Sequence, residues 1–103
     1  MNPRMPERGM LVNPIDVRID DGPLDFVRAK RIADEKARAV SPEAVLLAWF
    51  DRREGTFSPA VTCCDEQKPA WLVYAESRGA DIVIDINGEE FIFVYVSESS
   101  CPP

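Results

Sequence analysis

The amino-acid sequence predicts an α+β fold with two helices and a sheet of four or five strands, in the order βαββαββ. Three observations lead to this prediction. Residues 24–40 repeat apolar side chains every three or four positions, which is the spacing of an amphipathic helix. Residues 15–20 alternate apolar and charged side chains, as a half-buried strand does. Residues 81–86 and 89–96 are rich in β-forming residues and are separated by Asn87-Gly88, a strong hairpin signal.

The first helix has recognisable signals at both of its ends. Pro23 suits the first position of a helix, and Asp25 places a carboxylate in the first turn, where the helix dipole stabilises it. The apolar stripe runs from Phe26 to Val40, and charged residues occupy the other face. Ser41-Pro42 ends the helix, because proline cannot continue it. We therefore expect one face of this helix to lie on the sheet.

The middle of the chain allows two interpretations. Residues 44–50 form a continuous apolar run that fits either a buried strand or a second helix. We favour a strand, because a turn containing Gly55 and a further extended segment, residues 56–61, follow the run. Pro59 would place that segment at a sheet edge, at a strand end or at a bulge. A short helix is then predicted over residues 69–79, with a glycine at its C-terminal end.

This order of elements matches the ferredoxin-like split βαβ arrangement, in which an antiparallel sheet carries two helices on one face. The final strand would extend that sheet at its edge, as an extra C-terminal hairpin strand. A length of 103 residues suits a single domain. We place the domain at residues 12–97, between a disordered leader at residues 1–11 and a disordered tail at residues 98–103.

Composition excludes several classes of function. The chain carries 18 acidic and 12 basic residues, for a net charge of -6, so we expect no nucleic-acid partner, because binding to phosphates needs a basic surface. It contains no histidine, which removes the commonest general base and every zinc site that uses one. No signal peptide or membrane-spanning stretch is present, so we expect a cytoplasmic protein with no membrane partner. We expect no cofactor.

The cysteines offer the alternative hypothesis, a small thiol-dependent enzyme or redox protein centred on Cys63 and Cys64. These two residues precede the second helix, and a helix N-terminus can lower the pKa of a thiol. Asp65 and Glu66 oppose a thiolate at this position, and no histidine is available as a base. With Cys101 the count is odd and lacks the C-x-x-C spacing, which favours reduced thiols.

The predicted hairpin suggests a surface for self-association. A two-residue turn at Asn87-Gly88 leaves four β-branched residues on one face of the sheet. If both helices cover the other face, this face is exposed, and such patches usually mark interfaces. Strand propensity, or helices on both faces, would explain the pattern equally simply. We predict a non-enzymatic module that forms a homodimer and could also bind a small ligand or a protein, with Val94→Lys giving a folded monomer. The interface residues are Val83, Ile92, Val94 and Val96.

The same register places Asp85 opposite Glu90, and like charges facing each other destabilise a hairpin. Asp16 and Asp20 of the first strand would lie beside them. These four carboxylates could hold a divalent cation, which prefers oxygen ligands, although no calcium-loop motif is present. Arg18 is the simpler partner for these charges, so no metal site is expected.

Three segments of the chain resemble a small family of uncharacterised single-domain proteins, known only as a domain of unknown function. The segments are residues 49–59, with the sequence Trp-Phe-Asp-Arg-Arg-Glu-Gly-Thr-Phe-Ser-Pro, residues 69–79, and the hairpin around Asn87-Gly88. The resemblance extends over about residues 12–97. It implies a compact stand-alone domain, and it supplies no catalytic residues that could be carried over to this chain.

Overall fold

The protein is described by a computed structural model over residues 9, 11, 13–20, 22–59 and 69–97. The prediction of an α+β fold in the order βαββαββ is confirmed, and so is the strand in the ambiguous run at residues 44–50. The predicted C-terminal tail lies outside the described residues. The elements are β1 (Ile15–Val17), α1 (Phe26–Val40), β2 (Val45–Asp51), β3 (Thr56–Ser58), α2 (Ala70–Ser77), β4 (Ile82–Ile86) and β5 (Phe91–Val96).

The five strands form one mixed sheet in the order β1-β4-β5-β2-β3. The expected edge position of the final strand is wrong, because β5 pairs with both β4 and β2 and is the central strand. β1 pairs with β4 in parallel, whereas the β4–β5, β5–β2 and β2–β3 pairs are antiparallel. It follows that β1, β4 and β2 run in one direction, and that β5 and β3 run in the other. The connection from β1 through α1 to β2 joins parallel strands that have β4 and β5 between them. The strand order is therefore compatible with a split βαβ arrangement.

Helix α1 covers one face of the sheet, over β4 and β5. Its buried positions are Ala29, Ala33 and Ala37, and each is fully buried. Alanine at a spacing of four lets the helix backbone lie close to the sheet. The helix begins at Phe26, slightly later than predicted, because the Asp25 side chain accepts a hydrogen bond from the backbone N–H of Arg28 (2.8 Å) and caps the helix.

Helix α2 covers the opposite face, over β2 and β5, so the expectation that both helices share one face is wrong. Trp71 of α2 is buried, and its ring stacks on Phe50 of β2 with 5.6 Å between centroids and 7° between planes. The physical reason lies in the hairpin. Every residue of β4 is buried, so both faces of the central strands need a cover. Leu11, the last residue of the predicted leader, packs in this second core.

This layering corrects the predicted dimer interface. Val83, Ile92 and Val94 do lie on one face of the hairpin as predicted, but they are 5%, 0% and 0% exposed and pack with α2 in the same chain. They are therefore core residues and are not available to a partner. Val96, the fourth predicted interface residue, is half-buried at the end of β5.

The turn of the hairpin contains four residues and not two. Ile86 pairs with Phe91, and the backbone N–H of Glu90 donates to the carbonyl of Ile86 (3.1 Å). Relative to the predicted pairing, the register shifts by two residues, so every side chain keeps its predicted face. The expected pairing of Asp85 with Glu90 is wrong, because Asp85 lies opposite Ile92.

Candidate functional site

The two ends of the sheet carry surface groups of opposite character. We call residues 51–55 and 87–90 the turn end, where the parallel strands β1, β4 and β2 finish. We call Val40, Val45 and Val96 the valine end, where β2 begins and where α1 and β5 finish. The first end is polar and internally bonded, and the second exposes apolar side chains.

Asn87 at the turn end ties the segment after β1 to the hairpin. Its side-chain Oδ1 accepts from the backbone N–H of Ile19 (2.8 Å), and its Nδ2 donates to the carbonyl of Ile19 (3.0 Å). Its own backbone N–H donates to the carbonyl of Val17 (2.9 Å). The carboxamide therefore continues the β1–β4 pairing beyond the last residues of both strands.

Glu89 is held in an uncommon backbone conformation by two other side chains. Its φ of 66° lies in the left-handed region, which costs about 1–3 kcal/mol for a residue with a side chain. Asp85, which is fully buried, accepts from the backbone N–H of Glu89 at its Oδ1 (2.5 Å). Arg52 donates from its Nε to the carbonyl of Glu89 (2.9 Å). Both backbone polar groups of this residue are thus fixed.

The two adjacent arginines of the turn end lie against aromatic rings. The guanidinium carbon of Arg52 lies 5.4 Å from the centroid of Phe50, and that of Arg53 lies 5.9 Å from the centroid of Phe91. Arg53 also donates to the carbonyl of Leu24, and its Nε lies 3.5 Å from Oε2 of Glu90. These contacts hold the two turns against the segment that precedes α1, so the main role of the two arginines is structural.

The valine end leaves large apolar side chains in contact with water. Val40 at the end of α1 is 58% exposed, and Val45 at the start of β2 is 43% exposed. Val45 and Val96 are register partners, so their side chains lie on the same face of the sheet. The half-buried Val96 therefore forms part of the same apolar margin.

A hydrogen-bond network fixes the backbone beneath these valines. Ser41 donates from its Oγ to the carbonyl of Ser97 (2.6 Å), which places the end of α1 beside the end of β5. Asp81 accepts from the backbone N–H of Ser97 (2.8 Å) and from its Oγ (2.5 Å). The valine end is therefore an apolar surface on a fixed backbone.

Tyr95 connects α1 to β5 inside the molecule. Its hydroxyl donates to Oδ1 of Asp34 (2.6 Å), and Lys30 donates from Nζ to Oδ2 of the same carboxylate (2.9 Å). Burial of Tyr95 is the main cause that raises the pKa of its phenol above the ordinary value, and the hydrogen bond to the Asp34 carboxylate is the second. The phenol therefore stays neutral through the physiological range and acts as a structural donor.

The four carboxylates considered above as an alternative cation site are not brought together in the structure. Asp16 and Asp85 are register partners on neighbouring strands, but Glu90 lies in the turn beside Arg53. No group of three or more carboxylate, cysteine or histidine side chains in the described part of the chain is placed to hold a metal ion. Cys63, Cys64 and Cys101 lie outside the described residues. Within residues 26–40 and 70–77, neither helix is long and apolar enough to cross a membrane.

Sequence reasoning missed the structural roles of Asn87, Glu89 and Arg52. Asn87 had a usable signal, since asparagine tolerates a left-handed backbone and bonds to nearby main chain in turns. Its partner Ile19 is 68 residues away, however, and a local pattern does not reveal a pairing at that distance. Arg52 carried no distinguishing signal within its charged turn.

The family model for a domain of unknown function (DUF5619) matches residues 12–95, which are most of the chain. The chain belongs to this family. The predicted resemblance to a family of uncharacterised proteins is thereby confirmed, and DUF5619 names no activity.

Two proteins of Archaeoglobus fulgidus are similar to this DUF5619 chain. An uncharacterised protein is 45% identical over 51 residues, which are 50% of this chain and 54% of that protein. The chain thus spans about half the length of the curated relative that it matches. A crystal structure of a novel protein is 30% identical with a TM-score of 0.70, covering 87% of this chain and 99% of that one. That likeness supports the fold described above.

Proposed function

We propose that the protein is a non-enzymatic binding module that pairs with a second copy of itself through the valine end. The observation that carries this proposal is where the exposed apolar side chains lie. Among the described residues, the large hydrophobics that are exposed are Val27, Val40 and Val45, and the last two belong to the valine end. Half-buried Val96 is the register partner of Val45, and Ser41, which follows Val40, is hydrogen-bonded to Ser97, which follows Val96, so the three valines lie at the same end of the sheet.

The size of the surface supports a weak and reversible dimer. Full burial of one valine contributes about 1.5–3 kcal/mol, and side chains that are already half covered contribute about half of that. Three such valines on each copy make six in the dimer and contribute about 5–9 kcal/mol in total. Association costs about 4 kcal/mol or more in translational and rotational freedom. The dissociation constant is therefore about 0.2 mM at the strongest and extends into the millimolar range. A symmetric pairing of identical patches closes after two copies and does not extend into fibres.

Charge opposes this pairing and makes it sensitive to salt. The chain carries a net charge of -6, and the exposed acids Glu43 and Asp81 lie close to the valine end. Two copies that meet at this end bring like charges together. Added salt screens the repulsion and also favours apolar burial, so it strengthens the dimer.

We also propose a cytoplasmic location. The odd number of cysteines, without C-x-x-C spacing, supports it.

Two matched substitutions test the proposal, Val45→Lys at the valine end and Val27→Lys at the opposite end of α1. Both replace an exposed valine and add the same charge, so they share any general effect on solubility or net charge. Light scattering over a concentration series at moderate salt should give a concentration-dependent dimer for the wild type and for Val27→Lys. Val45→Lys should stay monomeric. A wild type that is monomeric at every concentration, or equal loss of the dimer in both variants, would refute the proposal.

A further inference from the structure

We infer that Asn87-Gly88 is a site of spontaneous backbone modification whose reaction is held back by the contact between Asn87 and Ile19. In this reaction the backbone nitrogen of Gly88 attacks Cγ of Asn87. A bond from that nitrogen to Cγ forms, the bond from Cγ to Nδ2 breaks, and ammonia leaves with the proton of the Gly88 N–H. Water then opens the resulting succinimide at either carbonyl, which yields aspartate or isoaspartate.

Gly88 makes the attack sterically easy. It is exposed, and a Cβ atom built at this position would meet nothing within 4 Å. The attacking nitrogen therefore has no side chain beside it, and water can reach the ring that forms. In an unfolded chain this dipeptide would have full freedom to react, so the folded structure decides the rate.

The contact with Ile19 opposes the reaction in the folded protein. Both polar atoms of the Asn87 carboxamide are bonded to the backbone of Ile19, at 2.8 Å and 3.0 Å, which fixes the plane of the group. Attack requires Cγ to turn toward Gly88 and become tetrahedral, and departure of ammonia breaks the bond from Nδ2. Ile19 is itself only 9% exposed and belongs to the α1-side core, so it cannot follow the carboxamide.

The contact between Asn87 and Ile19 slows the reaction only while β1 stays paired with the sheet. This strand has three residues and lies at the edge of the sheet, where local opening costs little free energy. After modification, a carboxylate replaces the Nδ2 donor and faces the carbonyl of Ile19, which leaves that carbonyl without its donor. The modification therefore releases the segment that follows β1 and does not reverse, because ammonia is lost.

Peptide mapping by mass spectrometry tests the inference on the full chain incubated in mildly alkaline buffer. Conversion of Asn87 should be slower in the folded wild type than in urea by roughly tenfold or more, as expected for a reaction that needs local opening. Ile19→Pro, which removes the N–H donor to Oδ1, should bring the folded rate toward the rate in urea. Ile19→Ala retains both backbone groups and should stay close to the slow rate. Circular dichroism confirms which variants are folded.

A second measurement keeps the test decisive if Ile19→Pro fails to fold. Asn87→Asp reproduces the loss of the donor, and hydrogen exchange should then be faster at Val17 and Ile19 than in the wild type, with little change in β5. Equal rates of conversion in folded protein and in urea would overturn the inference. A faster rate in the folded protein would also overturn it, since it would mean that the N–H of Ile19 activates the carboxamide by polarising its carbonyl.

Discussion

The turn end and the valine end use the same sheet in opposite ways. At the turn end, the backbone groups of Glu89 and the carboxamide of Asn87 are bonded to side chains or backbone of other segments. At the valine end, apolar side chains remain in water above a fixed backbone. Polar groups that are already hydrogen-bonded within the chain gain little free energy from binding a partner. Exposed apolar area, in contrast, gains the free energy of burial when a partner covers it. The turn end, with its many internal hydrogen bonds, therefore stabilises the fold, and the valine end is the better candidate for binding.

The largest expected effect separates Val94 from Val96, which lie on one strand and one face. Val94 is fully buried beneath α2, so Val94→Lys places an unpaired charge in the core and should lower the free energy of unfolding by about 3–5 kcal/mol. Val96→Lys, at the half-buried end, should cost about 1 kcal/mol or less. Urea denaturation of both variants measures the difference. A stable, folded Val94→Lys protein would mean that α2 does not cover this face.

A smaller effect is expected at the turn end when Asn87 is replaced. Asn87→Ala removes both side-chain partners of Ile19 and should lower the free energy of unfolding by about 2 kcal/mol. Asn87→Gly removes the same bonds but relaxes the left-handed backbone at this position, so it should cost less than Asn87→Ala. If neither variant changes the urea midpoint, the contact with Ile19 does not stabilise the fold.

Tyr95 is expected to stabilise the fold by about 1 kcal/mol near neutral pH, and this contribution should be lost in alkali. Tyr95→Phe removes the hydrogen bond to Asp34 and should be less stable than the wild type by about that amount. Folding raises the pKa of Tyr95, so the unfolded chain loses the proton first, at about pH 10. The stabilisation is therefore complete below pH about 10 and is lost as pH rises from there toward the folded pKa.

Denaturation of the wild type and of Tyr95→Phe across this alkaline pH range tests whether the stabilisation by Tyr95 is lost as pH rises. The difference between them should shrink as pH rises and then reverse, because the variant has no phenol to ionise. Tyr74→Phe, in α2, is the matched control and should retain the alkaline loss of the wild type. A difference that stays constant with pH would contradict the raised pKa of Tyr95.

The smallest expected effect is a gain in stability from Glu89→Gly. Glycine adopts a left-handed backbone without the steric cost that glutamate has at φ 66°, and this gain exceeds the extra entropy of glycine in the unfolded chain. The free energy of unfolding should rise by about 0.5 kcal/mol. Glu90→Gly, one residue later and outside the left-handed region, should instead lower it. The opposite order in thermal melts would show that the turn does not strain Glu89.

Much of the fold could be predicted because its signals are local. The stripe of α1 and the two strands of the hairpin follow from side-chain period, and the two-residue error in register left every face correct. The position of α2 could not be predicted in the same way, because its eight residues are nearly all apolar and show no polar side. The candidate site required contacts between distant segments, such as Ser41 with Ser97 and Asn87 with Ile19, which no local pattern contains.

The most direct test of the difference between the two ends is the salt dependence of self-association, measured by sedimentation equilibrium on the wild type. We expect a weak dimer whose dissociation constant falls as salt is added, because pairing at the valine end buries apolar surface against like-charge repulsion. Val45→Lys should abolish this dimer and Val27→Lys should preserve it. A dimer that weakens with salt would point to pairing through the arginines and glutamates of the turn end, and a monomer under all conditions would contradict self-association altogether.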